Sequence, residues 1–399
     1  FHQTVKNRLC LCHSHSNQSH TLYLIIIAMS NLQSLIYTNE GGSSPKLQVL
    51  DQLLIPHEKV YLDVPDVEKA WSVIREMQIR GAPLIAIVAL LGLSVDLHSN
   101  EKTVKELDAM EDGAVLKYIQ DKMAYLNTSR PTAVNLANAL AETENALQKA
   151  VKDNKEGYLR KSLCKAVLEY SEFMLERDVS DNKAIGKFGA QAILEKTGKD
   201  KVDMLTICNT GSLATAAYGT ALGVVRSLQE GGNLNSITAL ETRPYNQGSR
   251  LTAFEIMEEK MTGGQLICDS AAGALMKTKN VDAVVVGADR VCANGDTANK
   301  IGTYNVSIIA AFHKVPLYVA APITSLDVNL TSGDAIPIEE RSADELINTS
   351  KAPSNVPCWN PAFDVTPAAN ITGIVTEKGV ILPDANGNFD VKGFVEKNT

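Results

Sequence analysis

The chain has 399 residues, 45% of them apolar and 21% charged. That is enough apolar material to build two domain cores, which excludes an intrinsically disordered chain. A net charge of −8 excludes nucleic acid or an anionic membrane as the main partner, while leaving room for a local basic patch that holds one phosphate.

Residues 1–28 read as a leader that does not fold, with Met29 as the expected natural start. The apolar run at 22–28 is too short to cross a bilayer. No small-residue cleavage site follows it, as a secretory signal requires. Cys10, Cys12, His13 and His15 are ligand types, but no second Cys/His pair lies at zinc-site distance, so no metal is expected there. The seven cysteines are odd in number and scattered, which fits reduced intracellular thiols. A cytoplasmic location is expected, with the nucleus as a further compartment.

From about 66 to 161 the pattern is helical. Val67, Ala70, Trp71 and Ile74 recur at helical spacing, and 132–159 is rich in Ala, Leu, Glu, Lys and Asn without an internal Pro. Arg80-Gly81-Ala82-Pro83 precedes a strongly apolar helix over 84–93, with Pro83 placed for its first turn. Free amides there, together with Arg80, would make a phosphate clamp. Arg130-Pro131-Thr132 repeats the device, although either arginine on its own could be a surface side chain. Residues 29–165 are therefore read as a mainly helical N-terminal domain.

After about 175 short apolar strands alternate with helices. Strands are predicted over 202–208, 237–241, 265–268, 283–287 and 317–321, most of them continuous apolar runs as in a parallel sheet buried on both faces. Helices are predicted over 213–228, 248–261, 270–276 and 300–313. Residues 166–399 thus read as an α/β domain with a Rossmann-like, doubly wound parallel sheet. A surface loop is expected at 230–235 and an irregular excursion with one short helix over 324–360.

Ligands of such sheets bind beyond the carboxyl ends of the strands, where three polar runs fall. The first is Cys208-Asn209-Thr210-Gly211, whose turn amides could hold an oxyanion beside the thiol; a buried inert cysteine is the alternative. The second, Glu241-Thr242-Arg243-Pro244 with Gln247, is a dense polar loop in which Glu241 and Arg243 could simply pair. The third is Gly287-Ala288-Asp289-Arg290, then Asn299-Lys300. A carboxylate at the end of a continuous apolar strand loses solvent, which raises its pKa toward the range of a general acid. The alternatives for Asp289 are a helix cap or a salt bridge to Arg290. Asn299 and Lys300 are expected to open the next helix, adding a cation to its terminal amides. No G-x-G-x-x-G follows the first strand, so a nicotinamide site is not expected. Residues 289–296 lack the alternating oxygen ligands of a calcium loop.

Together these motifs, in one order from about 47 to 392, resemble the methylthioribose-1-phosphate isomerase family. Its fold is shared with ribose-1,5-bisphosphate isomerases and with regulatory subunits of the translation initiation exchange factor, which remain the rival functions. The resemblance implies isomerisation of 5-methylthioribose 1-phosphate to 5-methylthioribulose 1-phosphate in methionine salvage, by a homodimer that needs no cofactor. It implies Asp289 as proton donor and Cys208 as transition-state stabiliser or base. It further implies substrate contacts from Arg80, Gly81, Ala82, Arg130, Gln247, Asn299 and Lys300. No second basic cluster is evident in the sequence, which weighs against a bisphosphate.

Overall fold

Alternating burial along Leu35–Asn39 (β1) and Pro45–Leu50 (β2) marks strands with one face on a core, and the two pair antiparallel with Leu35 opposite Val49. Tyr61–Asp63 (β3) completes this sheet. The computed structural model describes residues 32–39, 44–130, 134–154 and 158–398. The expected leader and Pro131-Thr132 lie outside the described residues.

Six helices follow: Val67–Arg75 (α1), Ala82–Ser99 (α2), Glu101–Ala109 (α3), Asp112–Asn127 (α4), Val134–Asp153 (α5) and Leu159–Thr197 (α6). Asp66 caps α1 by accepting from the Lys69 amide at 2.7 Å. From Leu84 to Leu97 every residue of α2 is buried, so this helix is the axis of the N-terminal core, packed by α1, α5, α6 and β2. It is long and apolar enough to cross a membrane, but its apolar surface is already enclosed by protein. The small N-terminal sheet precedes the span read as helical and was not expected from the sequence. Helix α6 carries the chain from one half to the other. It packs on α5 and α2 early and on the second half later, and residues 165 and 166 lie inside it.

The second half is the doubly wound sheet. Its elements are Val202–Thr206 (β4), Ala221–Glu230 (α7), Leu234–Leu240 (β5), Ala253–Glu258 (α8), Gln265–Ile267 (β6), Ala272–Thr278 (α9), Ala283–Val286 (β7), Arg290–Cys292 (β8), Thr297–Lys300 (β9), Thr303–His313 (α10), Leu317–Ala320 (β10), Leu326–Asp327 (β11), Asp344–Ser350 (α11), Phe363–Thr366 (β12), Gly373–Thr376 (β13), Gly379–Ile381 (β14) and Val391–Asn398 (α12). The main sheet has the order β14-β13-β10-β7-β4-β5-β6, parallel except for β14. From β4 the chain builds outward through β5 and β6, then returns to β7 on the other side of β4 and builds outward again through β10 and β13. The order therefore reverses between β4 and β7, the switch point at which such sheets open a crevice.

Three expectations are corrected. The helix after β4 begins at Ala221 rather than 213, because 212–220 is an irregular buried segment whose backbone is held by side chains. Glu255 accepts from the amides of Ser212 and Leu213, Asp178 from that of Ala216, and Arg226 donates to the carbonyl of Tyr218. Helix α10 begins at Thr303, so Asn299 and Lys300 do not open it. They end β9, which pairs antiparallel with β12 in a separate sheet of order β11-β8-β9-β12. Finally, the segment over 248–261 is a π-helical turn, Gly248–Thr252, running into the short α8.

Candidate active site

Adjacent parallel strands β4 and β7, with Leu205 opposite Val284, carry Cys208 and Asp289 just past their carboxyl ends. The thiol and the carboxylate thus flank the switch point. Cys208 is buried and sits in the left-handed region with φ of 69°. Asp289 opens onto the crevice and remains exposed to it, rather than partly buried as expected. The surrounding protein still pushes its carboxyl above the usual range, against the downward pull of Lys300, Arg80 and Arg130. Neither alternative for Asp289 is adopted: Arg290 turns to Asp327 at 3.4 Å, and the Asp289 amide donates to the carbonyl of Ala298.

Arg80 comes from the N-terminal half and reaches across, its Nη2 lying 3.8 Å from Cys208 Sγ and 3.5 Å from the carbonyl of Asn209. It is nine-tenths buried, and its Nη1 has no hydrogen-bond partner in the protein. Gly81 caps α2 at φ of 100°, and a Cβ there would lie 2.1 Å from the carbonyl oxygen of Ala214, so this position requires glycine. Ala82 is the first residue of α2.

Lys300 lies over the Phe363 ring at 4.5 Å. Burial lowers its pKa, against the upward pull of Cys208 and Asp289. Arg130, whose pKa is likewise lowered by burial, shares a cavity of about 50 Å³ with Gln247, Lys300, Tyr245 and Arg341. The Gln247 side-chain oxygen is buried without a partner. Asn299 is buried and donates from Nδ2 to Thr303 Oγ1 at 3.1 Å. A larger cavity of about 670 Å³ lies in the N-terminal half beside Tyr37, His98 and Glu172 and contains none of the expected site residues.

Several neighbours were not singled out from the sequence. Arg341 sits in the irregular excursion, paired with Glu339 at 3.0 Å and Glu345 at 2.6 Å, and its charge acts on both Arg130 and Lys300. Arg250 stacks its guanidinium over Tyr245 and acts on the same region as Arg80. The basic cluster is therefore larger than the sequence implied, although Arg341 is neutralised by its own carboxylates. No local motif marks either residue. Arg243 does not pair with Glu241; it donates to Thr349 Oγ1 and the Leu346 carbonyl, tying α11 to the polar loop.

Behind Cys208 is a fully buried carboxylate. Glu255 accepts from Asn209 Nδ2 at 2.7 Å and from the Ser212 amide at 2.8 Å, and is paired with Arg226 at 2.6 Å. A Cβ on Gly211 would stand 2.2 Å from Glu255, so the close approach of chain to carboxylate depends on glycine here. A thiol, an acid with a raised pKa and several cations around one crevice can move protons on a small anionic substrate.

The model of the initiation factor 2 subunit family matches residues 78–383. A methylthioribose-1-phosphate isomerase of Zea mays is 50% identical over 379 residues, covering 92% of this chain and 98% of that protein. Among solved structures, 5-methylthioribose 1-phosphate isomerase from Pyrococcus horikoshii aligns with a TM-score of 0.81 and 34% identity, over 93% of this chain and 97% of that one. A structure described as translation initiation factor eIF-2B, subunit delta, from A. fulgidus aligns with a TM-score of 0.77 and 36% identity, over 92% and 100%. The chain belongs to the initiation factor 2 subunit family and, within it, to the methylthioribose-1-phosphate isomerases.

Proposed function

We infer that the protein is an aldose-ketose isomerase that converts 5-methylthioribose 1-phosphate to 5-methylthioribulose 1-phosphate in methionine salvage. The observation that carries this is the placement of Cys208 and Asp289 on either side of one switch point, ringed by Arg80, Arg130 and Lys300. A non-catalytic regulatory subunit has no use for an acid and a thiol so arranged.

In a sugar 1-phosphate the anomeric carbon is locked, so the ring must open before C1 and C2 exchange oxidation levels. Asp289, whose carboxyl the surrounding protein pushes above its usual range, gives its proton to the ring oxygen as the bond to C1 breaks. The hydrogen on C2 passes to C1, either as a proton through an enediolate or as a hydride. The C2 hydroxyl gives up its proton as the ketone forms, which balances the proton spent on the ring. Cys208 handles the proton at C2 or steadies the developing charge. Arg80, Arg130 and Lys300 hold the phosphate, with the unpartnered Arg80 Nη1 and Gln247 oxygen available to substrate. Gly81 and Ala82 offer the amides of the α2 start, and Asn299 supports the wall beside Lys300. None of these steps draws on a cofactor.

Arg80 and Arg130 come from the N-terminal half and Asp289 and Lys300 from the second, so closure of the two halves on substrate would bring the anchors and the acid together. The working form is a homodimer. This is supported by Tyr304, Ile308 and Phe312, spaced four apart on α10 and exposed, the last by 83%. The net charge of −8 disfavours nucleic acid or an anionic membrane as partner, and the free thiols suit the cytoplasm.

The test is to incubate the purified protein with methylthioribose 1-phosphate, ribose 1,5-bisphosphate and ribose 1-phosphate and follow ketose formation. Turnover confined to the first is expected. Preference for the bisphosphate, or no turnover on any, overturns the reading.

A further inference from the structure

Cys208 lies in the left-handed region with φ of 69°, as does Thr242 with φ of 63°. For a β-branched threonine this backbone is a genuine outlier, and such outliers persist only where their surroundings over-determine them. Here the surroundings are specific. The Cys208 amide donates to Thr242 Oγ1 at 2.8 Å, and Thr242 Oγ1 in turn donates to the carbonyl of Leu240 at 3.1 Å. The Cys208 carbonyl accepts from Thr252 Oγ1 at 2.5 Å, and that hydroxyl accepts from Asn209 Nδ2 at 3.4 Å. Both threonines are fully buried. Both backbone polar groups of the residue bearing the thiol are therefore met by side-chain hydroxyls instead of by a β-ladder or helix.

Each hydroxyl is itself fixed from behind. The Thr242 and Arg243 amides donate to the two oxygens of Asp269, at 2.8 and 2.6 Å. Thr252 closes the π-helical turn Gly248–Thr252, a rare geometry frequent at functional positions. Gly248 allows that turn to press against β5, since a Cβ on it would stand 1.7 Å from the Leu240 carbonyl oxygen. A glycine would adopt the left-handed turn at position 208 without strain, but it would bring no thiol. The two clamps keep the thiol-bearing residue in a conformation its side chain disfavours.

We propose that Thr242 and Thr252 are positioning residues that clamp the Cys208 backbone in its left-handed turn and so aim the thiol at the reacting carbons beside Arg80. This rests on the isomerase reading for the identity of those carbons, but not for the clamp itself. A thiol displaced by about 1 Å costs on the order of a hundredfold in rate, because the reacting groups lose alignment.

The experiment compares Thr252→Val, which keeps shape and loses the hydroxyl, with Thr252→Ser, which keeps the hydroxyl. With methylthioribose 1-phosphate, Thr252→Val is expected to lower kcat by about ten- to a hundredfold with KM within about threefold of wild type, and Thr252→Ser to stay within about threefold in both. A second arm needs no substrate: iodoacetamide labelling of Cys208, followed by peptide mass spectrometry. Thr252→Val is expected to change that rate at least about fivefold, with the exposed Cys268 as an unchanged internal reference. Thr242→Val serves both arms should Thr252→Val fail to fold. Equal losses in the Val and Ser variants, a change confined to KM, or unaltered labelling of Cys208 would overturn the proposal. If the wild-type protein turns over no sugar phosphate, the isomerase reading fails while the labelling arm still decides the clamp.

Discussion

Replacing Arg226 by Met tests how the loop after β4 is held. Arg226 is 6% exposed and donates to Glu255, which is fully buried, at 2.6 Å. It also reaches Glu259 at 2.7 and 2.8 Å and donates from Nη1 to the Tyr218 carbonyl. Burial alone would lower the guanidinium pKa, but Glu255 and Glu259 outweigh it and raise it. Removing one member of a buried pair costs about 3–5 kcal/mol, mostly because the remaining charge is stranded. Glu255 retains Asn209 Nδ2 and two backbone amides, which solvate part of that charge and place the expected loss near the lower end, about 3 kcal/mol. The double variant Arg226→Met/Glu255→Gln removes the stranded charge of Glu255, leaving only that of the less deeply buried Glu259. It should be less destabilised than the sum of the single variants by at least about 1 kcal/mol. Urea unfolding followed by circular dichroism, extrapolated linearly, gives all three values. A loss below about 1 kcal/mol for Arg226→Met, or strict additivity in the cycle, would refute the reasoning.

The remaining predictions concern the crevice and the surface. Because burial lowers the Lys300 pKa, raising the pH should neutralise it early and raise KM; in Lys300→Arg, which stays charged, that rise should vanish from the pH profile of KM. A KM that climbs equally in both would assign the effect to another group. The raised pKa of Asp289 means that its acid form is lost as pH rises, so kcat should fall on the alkaline side. Stability follows the same sign: the folded state holds that proton more tightly, and this contribution is lost as pH rises through the folded-state pKa. Gly81→Ala sets a Cβ 2.1 Å from the Ala214 carbonyl oxygen at a left-handed position, and should cost at least about 1–3 kcal/mol in urea unfolding. Phe312→Asp should convert a dimer to a monomer in size-exclusion chromatography with light scattering, and an unchanged elution would remove α10 from the interface.

What the sequence made legible followed from local pattern. The run ending at Gly287 is continuous and apolar, and the one ending at Cys208 is buried from Met204 onward, because β4 and β7 are central strands covered on both faces, so their polar successors stood out. The segment 212–220 was misread because Leu213, Ala214, Ala216 and Ala217 are buried and mimic the start of an apolar helix. Their backbone is irregular because its partners, Glu255, Asp178 and Arg226, come from elsewhere in the chain. Lys300 was placed on a helix for a related reason. The strand it ends forms a local hairpin with Arg290–Cys292, but Asn299 and Lys300 themselves pair with Asp364 and Phe363, more than sixty residues later, and no local signal reports that pairing. Arg341 and Arg250 reach the basic cluster through the same long-range folding. Thr242 stood in a flagged polar loop, but its use depends on φ at two residues, which residue type alone does not disclose.

The most direct measurement of the central claim is the turnover of methylthioribose 1-phosphate by Asp289→Asn, set beside its affinity for the sugar phosphate. The amide is nearly the size of the carboxyl but has no carboxyl proton to give to the ring oxygen. Ketose formation is expected to vanish, while affinity falls only modestly because Arg80, Arg130 and Lys300 remain. Near-normal turnover in this variant would contradict the assignment of Asp289 as the acid that opens the ring.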